Sequence, residues 1–229
     1  MSVDLVHLAI MAGSVFAGLA VRRIVPGGSG LPPATSAALG IAAVSGGIIG
    51  AKLPFFLEDP AALQRFSFWL DDGRTITWAL AGGYLAVEVT KLALGVTRKT
   101  GDTFAAPVAA AVAVGRVGCF QGGCCYGRPS AVPWAVDFGD GVLRHPTQLY
   151  EAVFHGLAAV ALVLMARAGV QRRQHFKLYL GSYALYRFVT EWLRPEPVWA
   201  LGLTFYQVTA LVILLAMVAH YLRDARLPP

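Results

Sequence analysis

The most reactive residues of the chain share one short apolar stretch. Tyr183, Arg187, Glu191 and Arg194 follow one another at spacings of four, four and three residues. In an α-helix these spacings place side chains on one face. Charges are costly in a membrane, so this face must look into a polar cavity. An arginine guanidinium can bond two phosphate oxygens at once. The two arginines on this face therefore predict an anion site. The alternative is an internal ion-pair network that holds helices together.

A glycine-rich segment at 115–128 provides a second potential anion-binding residue. It reads Gly-Arg-Val-Gly-Cys-Phe-Gln-Gly-Gly-Cys-Cys-Tyr-Gly-Arg, and it ends an apolar run. Glycine lets the backbone approach a ligand closely. Arg116 lies near the start of this segment, so we expect it to act as a second cation directed at a phosphate.

A third polar segment, 144–151, reads Arg-His-Pro-Thr-Gln-Leu-Tyr-Glu. Thr147 is a residue type that often begins a helix, which would place Glu151 one turn inside it. His145 is a candidate general base, as is Glu191. The alternative for His145 is a histidine at the start of a helix that is satisfied by the backbone.

All three cysteines of the chain, Cys119, Cys124 and Cys125, lie within seven residues of one another. An exterior disulfide between Cys119 and either of the others is one interpretation, since the periplasm is oxidising. A catalytic thiol with a pKa lowered by Arg116 is another. They could also only pack, or bind zinc together with His145, but the irregular spacing argues against zinc. We therefore expect no metal and no cofactor.

The composition predicts that these residues lie in a membrane protein. Of 229 residues, 56% are hydrophobic and 14% are charged, whereas a soluble domain has about 25% charged residues. The apolar residues form runs of roughly 17–25, long enough to cross a bilayer. The predicted spans are 5–21, 34–57, 75–96, 103–120, 148–168, 176–193 and 198–222. We expect an all-α, polytopic integral membrane protein with a single domain over 1–229, its first span an uncleaved anchor.

The charges between the runs predict the orientation of the chain. Cytoplasmic loops are enriched in Lys and Arg, and basic residues follow the first, third, fifth and seventh runs. These residues are Arg22, Arg23, Arg98, Lys99, Arg167, Arg172, Arg173, Lys177, Arg223 and Arg226. Loop 58–74 is acidic instead. We therefore expect the N-terminus outside, the C-terminus inside, and an exterior loop or arm at about 121–147. The net charge of +6 lies mostly in these loops, so no nucleic-acid partner is expected.

Other polar residues and several glycines are expected to have structural roles. Glu88 and Lys91 are three residues apart on one helix and can neutralise each other, and Lys52 can extend toward an interface. Small residues let membrane helices approach closely, which is the role expected of Gly46, Gly47, Gly50, Gly82 and Gly83. The fourth run is rich in small residues and the sixth is polar, so both should face the protein interior. The histidines expected at interfaces or in loops are His7, His155, His175 and His220.

Several segments together resemble the bacterial phosphatidylglycerol–prolipoprotein diacylglyceryl transferases. Residues 115–120 with 127–128 resemble the signature segment of that family, and 145–151 is similar to its second motif. The third motif is matched by Tyr183, Arg187, Phe188, Glu191, Arg194 and Pro195. Residues 46–53 resemble an early segment, with Lys52 where Arg is usual. The segments occur in family order, from the second run to the sixth.

The resemblance implies a seven-helix enzyme of the bacterial plasma membrane. It would move the diacylglyceryl group of phosphatidylglycerol to the lipobox cysteine thiol of a prolipoprotein signal peptide and release glycerol phosphate. By similarity, Arg116 would hold the lipid phosphate. Arg187 would support the leaving phosphate or the incoming thiolate, and Glu191 and Arg194 would orient it. The further residues expected to bind substrate are Tyr183, Gln148 and Glu151.

The chain departs from the family at reactive positions. Cys119 stands where Asn is usual and Cys124 where Glu is usual, so both are candidate catalytic residues. Thr77 occupies the position in the third run where the family usually has a His. Val6 lies near the position in the first run where the family has a Tyr. These departures leave two alternatives open. The chain could be a relative that uses the phospholipid cavity and its cysteines for other thiol chemistry, or a non-enzymatic lipid-binding or thiol-redox membrane protein.

Overall fold

The computed structural model of the chain describes residues 5–28, 30–58 and 75–226, and this part is mostly helical. Its helices are α1 (Leu5–Ile24), α2 (Pro33–Glu58), α3 (Ile76–Ala93), α4 (Gly101–Gln121), α5 (Thr147–Ala168), α6 (His175–Thr190) and α7 (Phe205–Ala225). Within the described residues, five of them are long and apolar enough to cross a membrane, namely α1, α2, α4, α5 and α7. The prediction of an all-α, multi-pass membrane protein is confirmed. The acidic loop predicted after the second span lies largely at 59–74, outside the described residues.

The last predicted span begins later than the apolar pattern indicates. Strand β3 (Val198–Ala200) pairs antiparallel with β4 (Leu203–Thr204), and α7 starts only after this hairpin. Thr204 determines the start, because its hydroxyl accepts a hydrogen bond from the Gln207 backbone N–H at 3.1 Å while the Gln207 side chain accepts one from the Thr204 N–H at 3.0 Å. This reciprocal capping satisfies two N–H groups at the helix start.

The described residues form two compact units, one within Ser29–Lys99 and the other within Met1–Gly28 and Thr100–Pro229. In the first unit, α2 packs on α3 through glycine. A Cβ atom on Gly82 would lie 2.9 Å from the Gly50 Cα, and one on Gly50 would collide with the backbone oxygen of Trp78. The predicted close approach of these helices is confirmed. The predicted pair is present too, with Lys91 Nζ 2.9 Å from Glu88 Oε1.

The Gly50→Ala substitution is expected to destabilise this helix pair by about 1–3 kcal/mol, because the added methyl group has no space. Gly40→Ala, in the same helix, is the matched control, since a Cβ at Gly40 meets nothing within 4 Å. Alanine is preferred over glycine inside helices, so the control is expected to leave the protein unchanged or slightly more stable. Thermal unfolding in detergent micelles measures both variants. Equal melting temperatures for the two would contradict the packing described.

In the second unit, α4 packs on α1 and α5, and α6 packs on α7. Helices α4 and α6 supply much of the buried core, as predicted for the fourth and sixth runs. The fully buried residues there include Ala105, Ala109, Leu180 and Ala184. The prediction that His155 lies at an interface or in a loop is wrong: it lies in α5 and is completely buried.

The segment between α4 and α5 folds into a small arm. Strands β1 (Val136–Asp137) and β2 (Leu143–Arg144) form an antiparallel hairpin. The Asp137 carboxylate accepts hydrogen bonds from the N–H groups of residues 139, 140 and 141 and fixes the turn. Arg144 lies over the ring of Tyr126 at 4.7 Å. It also donates to Asp140 at 2.6 Å, and this hydrogen bond lowers the pKa of the exposed Asp140 carboxyl.

Candidate functional site

Glu151 is the centre of a buried polar cluster in the first turns of α5. Arg187 Nη1 donates to its Oε1 at 3.1 Å, and Arg194 Nη2 donates to the same oxygen. Arg116, from α4, forms an ion pair with Oε2. The Tyr183 hydroxyl donates to Oε2 at 3.0 Å. One carboxylate therefore joins three guanidinium groups and a phenol from different parts of the chain.

A second carboxylate, Glu191, completes what we name the Glu151 cluster. Arg187 Nη2 donates to Glu191 Oε2 at 2.6 Å, so the Arg187 guanidinium bridges both carboxylates. The Thr204 hydroxyl lies 3.4 Å from the other Glu191 oxygen. The members of the cluster are Arg116, Glu151, Tyr183, Arg187, Glu191 and Arg194, and each is less than one-tenth exposed.

The Glu151 cluster carries more positive than negative charge. Its three arginines face two carboxylates, which leaves a formal surplus of one positive charge. Arg116 Nε is also a buried donor without a hydrogen-bond partner in the described part of the chain. An unpaired buried donor is costly, and electrostatic attraction is strong where water is excluded. The cluster is therefore suited to bind one further anion. The ion-pair network considered from the sequence is present as well, but it is not neutral.

The single helical face predicted for the third motif is wrong in one respect. Helix α6 ends at Thr190, and a 3₁₀ turn at Glu191–Leu193 leads to Arg194 in extended backbone. Arg194 still reaches Glu151 because Arg128 holds its backbone, with Nε donating to the Arg194 carbonyl at 2.6 Å. The spacing predicted the correct neighbours, although the helix on which this prediction depends ends at Thr190.

Residues 119–125, which we name the cysteine segment, are hydrogen-bonded to the start of α5. Gln148 Nε2 donates to the Cys124 carbonyl at 2.6 Å, and the Thr147 hydroxyl donates to the Cys125 carbonyl at 2.9 Å. Thr147 begins α5 as predicted, but its hydroxyl serves the cysteine segment and does not cap the helix. Arg194 Nη1 also donates to the Cys125 carbonyl, at 3.3 Å. Arg194 therefore contacts both Glu151 and the cysteine segment.

The three thiols converge. Their sulfur atoms all lie within 4.8 Å of one another. All three thiols are free, so the disulfide considered from the sequence is not present. Cys124 and Cys125 are exposed, whereas Cys119 is half-buried at the end of α4. Hydrogen bonds from Cys119 and Cys124, followed by the positive charges of Arg116 and Arg194, lower the pKa of the Cys125 thiol.

His145 lies in a different environment from the Glu151 cluster. Its Nδ1 atom is 3.2 Å from the Tyr150 hydroxyl, which also accepts a hydrogen bond from Trp134 Nε1 at 2.6 Å. Its backbone pairs with residues 127 and 128. Among the described residues, the three cysteine sulfurs form a group that could hold a metal ion. His145 is not part of this group. The fourth-ligand role considered for His145 is therefore not supported.

The sequence interpretation missed a second buried pair behind the cluster. The Tyr179 hydroxyl and His155 Nδ1 are 2.9 Å apart, and both side chains are fully buried. The His155 ring lies 4.5 Å from the Tyr183 ring. His155 follows Glu151 by four residues, and Tyr179 precedes Tyr183 by four. This repeated spacing was the signal that would have placed both residues on the same helix faces as the cluster.

Comparison with known proteins places these observations in a family. The family model for prolipoprotein diacylglyceryl transferase matches residues 2–223. Three similar relatives are each named phosphatidylglycerol–prolipoprotein diacylglyceryl transferase. The Clostridium tetani protein is 32% identical over 69% of this chain and 68% of its own length. The Geobacter sulfurreducens protein is 36% identical over 72% and 65%, respectively. The Pasteurella multocida protein is 33% identical over 87% and 77%.

The chain thus spans between 65% and 77% of the length of these relatives. The matched region contains every member of the Glu151 cluster and all three cysteines. Because the family model covers nearly the whole chain, the chain belongs to the prolipoprotein diacylglyceryl transferase family.

Proposed function

We propose that this protein transfers the diacylglyceryl group of phosphatidylglycerol to the lipobox cysteine thiol of a prolipoprotein. Family membership supports the reaction class, and the names of the relatives supply both substrates. The observation that carries the proposal is the surplus positive charge of the buried Glu151 cluster. Phosphatidylglycerol brings one anionic phosphate, and the cluster offers the charge that would receive it.

The chemistry requires an anion to be stabilised as it leaves. Attack of a sulfur on the glyceryl carbon breaks a carbon–oxygen bond, and the electron pair stays on the phosphate. Fixed positive charge lowers the free energy of such a transition state. In this proposal Arg116 binds the phosphate of the lipid, while Arg187 and Arg194 stabilise the leaving group. Glu191 orients Arg187 through their 2.6 Å contact.

Three further residues position this machinery. Glu151 holds the arginines in place, and Tyr183 holds Glu151 from the other side. Gln148 acts through the Cys124 carbonyl and fixes the cysteine segment beside the cluster. His145 contacts the Tyr150 hydroxyl outside the Glu151 cluster, and the proposed mechanism assigns it no proton transfer.

We also propose the location in the cell. The protein would lie in the bacterial plasma membrane with seven spans, the N-terminus outside and the C-terminus inside. Basic side chains in the last turns of α1 and α7 and after α3 and α5 support this orientation, since positive residues favour the cytoplasmic side. The arm between α4 and α5 would then face the exterior, where prolipoprotein signal peptides present their cysteine.

The test is a transfer assay with the full chain in detergent micelles. Phosphatidylglycerol and a lipobox peptide are expected to give a thioether product by mass spectrometry. Phosphatidylethanolamine as donor, or the same peptide with serine in place of cysteine, is expected to give none. No product from folded protein, under conditions in which an authentic transferase is active, would overturn the proposal.

The cysteine segment favours a second candidate. A repurposed relative would use the same phospholipid cavity to alkylate a different thiol, because the three thiols lie beside the cluster and two of them are exposed. The same assay separates the two candidates. Product with a small thiol but none with the lipobox peptide would favour the repurposed relative.

A further inference from the structure

The geometry of the three thiols matches a zinc site more closely than their sequence spacing does. A Zn–S bond is about 2.3 Å, which puts sulfur atoms about 3.8 Å apart around a tetrahedral ion. The three sulfur atoms already lie within 4.8 Å of one another. A zinc ion could therefore be bound through small side-chain movements, without refolding of the segment.

The backbone around the thiols is built to bring them together. The Cys124 N–H donates to the Cys119 carbonyl at 3.1 Å, which folds the segment back onto the end of α4. Gly123 and Cys125 both have left-handed backbone, with φ values of 62° and 60°. This conformation is unfavourable for cysteine and persists only where surrounding contacts enforce it. Here Thr147 and Arg194 enforce it by donating to the Cys125 carbonyl.

The proposed reaction also leaves a chemical need unmet. A thiol attacks as its thiolate, so the acceptor cysteine must lose its proton. Both nearby carboxylates are already paired, Glu151 with three arginines and Glu191 with Arg187. His145 does not lie in the group formed by the three sulfur atoms. A metal ion deprotonates a coordinated thiol outright. Zn²⁺ favours thiolate ligands and four-coordinate geometry, so three cysteines leave one position open.

We propose that Cys119, Cys124 and Cys125 bind one Zn²⁺ ion whose fourth position takes the cysteine thiol of the acceptor. This inference rests on the proposed function, since it assigns the activation of the acceptor in that reaction. The exposure of Cys124 and Cys125 leaves the ion accessible to a peptide. Arg194, which contacts both the cysteine segment and Glu151, keeps the ion beside the phosphate-binding arginines.

The step balances without an oxidant or a reductant. The acceptor thiol binds Zn²⁺ and releases its proton to water. Its sulfur then forms a bond to the glyceryl carbon as the carbon–oxygen bond to phosphate breaks. The electron pair leaves on the phosphate oxygen as glycerol phosphate, held by the arginines. The thioether is a weaker zinc ligand than the thiolate and leaves the metal, and the three protein cysteines are unchanged.

Metal content is the first test and needs no activity. The full chain is purified in detergent, stripped with a chelator, incubated with Zn²⁺ and analysed by elemental mass spectrometry. Wild type is expected to retain one ion per chain, and Cys119→Ser, Cys124→Ser and Cys125→Ser are each expected to retain background levels. His145→Gln is the matched control and should bind zinc like the wild type. Because these are the only cysteines of the sequence, no other thiol contributes.

A spectroscopic test uses wild type alone, so it does not depend on how the variants fold. Co²⁺ replaces Zn²⁺, and thiolate ligands give it charge-transfer absorption. Adding the lipobox peptide is expected to strengthen this absorption by one further thiolate. The serine version of the peptide should leave it unchanged. An unchanged spectrum with the cysteine peptide would overturn the fourth-ligand role.

The outcomes for the metal and for the transferase are distinguishable. Transfer that is lost on chelation and restored by Zn²⁺ supports both proposals. Full transfer by protein free of zinc overturns the activation of the acceptor by zinc and leaves the proposed function standing. Zinc bound by the three cysteines, with the peptide as a fourth ligand but no transfer from phosphatidylglycerol, supports the site and overturns the proposed function. No zinc retained by wild type overturns the site outright.

Discussion

Glu151→Gln is expected to destabilise the folded protein by about 3–5 kcal/mol, because removing one partner of a buried ion pair leaves uncompensated charge. Glu151 is fully buried and joins Arg116, Arg187 and Arg194. With glutamine in its place, three arginines would face Glu191 alone, and the formal surplus would rise to two positive charges. The arginines would then repel one another inside a low-dielectric core.

The measurement is thermal unfolding of the purified protein in detergent micelles, followed by circular dichroism. The matched control is Asp140→Asn, which removes an exposed carboxylate from its contact with Arg144. We expect this control to melt with the wild type, since surface ion pairs contribute little. If Glu151→Gln melted with the wild type as well, Glu151 would not be the residue that holds the three arginines together.

The second large effect is expected on catalysis. Arg187→Lys should lower kcat by about 10²–10³-fold, the cost of removing one preorganised group that stabilises developing negative charge. Arg187 donates through Nη1 to Glu151 and through Nη2 to Glu191. A lysine ammonium is a compact point charge and cannot reproduce this planar bridge. Because lysine keeps the positive charge, a loss of activity reports geometry and not charge alone.

The transfer assay with phosphatidylglycerol and a lipobox peptide measures this effect under saturating substrate. Arg167→Lys is the control, because Arg167 is exposed in the last turn of α5, and its kcat is expected to match the wild type. A melting temperature near that of the wild type would show that the folded state of Arg187→Lys is retained. Unchanged kcat for Arg187→Lys would remove Arg187 from the proposed mechanism.

Apolar runs predicted the helices well and their ends less well. Hydropathy cannot separate a strand from the start of a helix, so β3 was included in the last span. The structure assigns these residues to a hairpin because Thr204 and Gln207 cap α7 later in the chain. The predicted α6 also ran three residues too far. Nothing in the composition of residues 191–193 marks the change to a 3₁₀ turn.

The members of the Glu151 cluster could be predicted, but their connections could not. Spacing and resemblance both selected Arg116, Arg187, Glu191 and Arg194. Neither indicated that Glu151 would be the common partner of the three arginines, because these ion pairs join residues 35 to 43 positions apart in sequence. His155 was misplaced for the same reason. A lone histidine in an apolar run gives no sign of a partner, and its partner Tyr179 is 24 residues away.

For the cysteines, the sequence spacing was misleading. Their irregular spacing argued against a metal, because spacing rules assume regular helices and turns. Left-handed backbone at Gly123 and Cys125 changes the directions in which the side chains leave the chain. Three sulfurs that look poorly spaced in sequence therefore converge in the fold.

The distribution of charge along the chain has a consequence for biogenesis. A charged residue inserted alone into a membrane costs about 2.5–3.5 kcal/mol at a helix centre. Helix α4 brings Arg116 and α5 brings its partner Glu151, so the two helices can enter the bilayer as a neutral hairpin. Arg187 and Glu191 then arrive together as a pair of their own. Of the three arginines in the Glu151 cluster, Arg194 follows the end of α6 and arrives after both carboxylates already have arginine partners. The surplus charge that would receive substrate is thus added after α4, α5 and α6, whose insertion it would have opposed, and before α7.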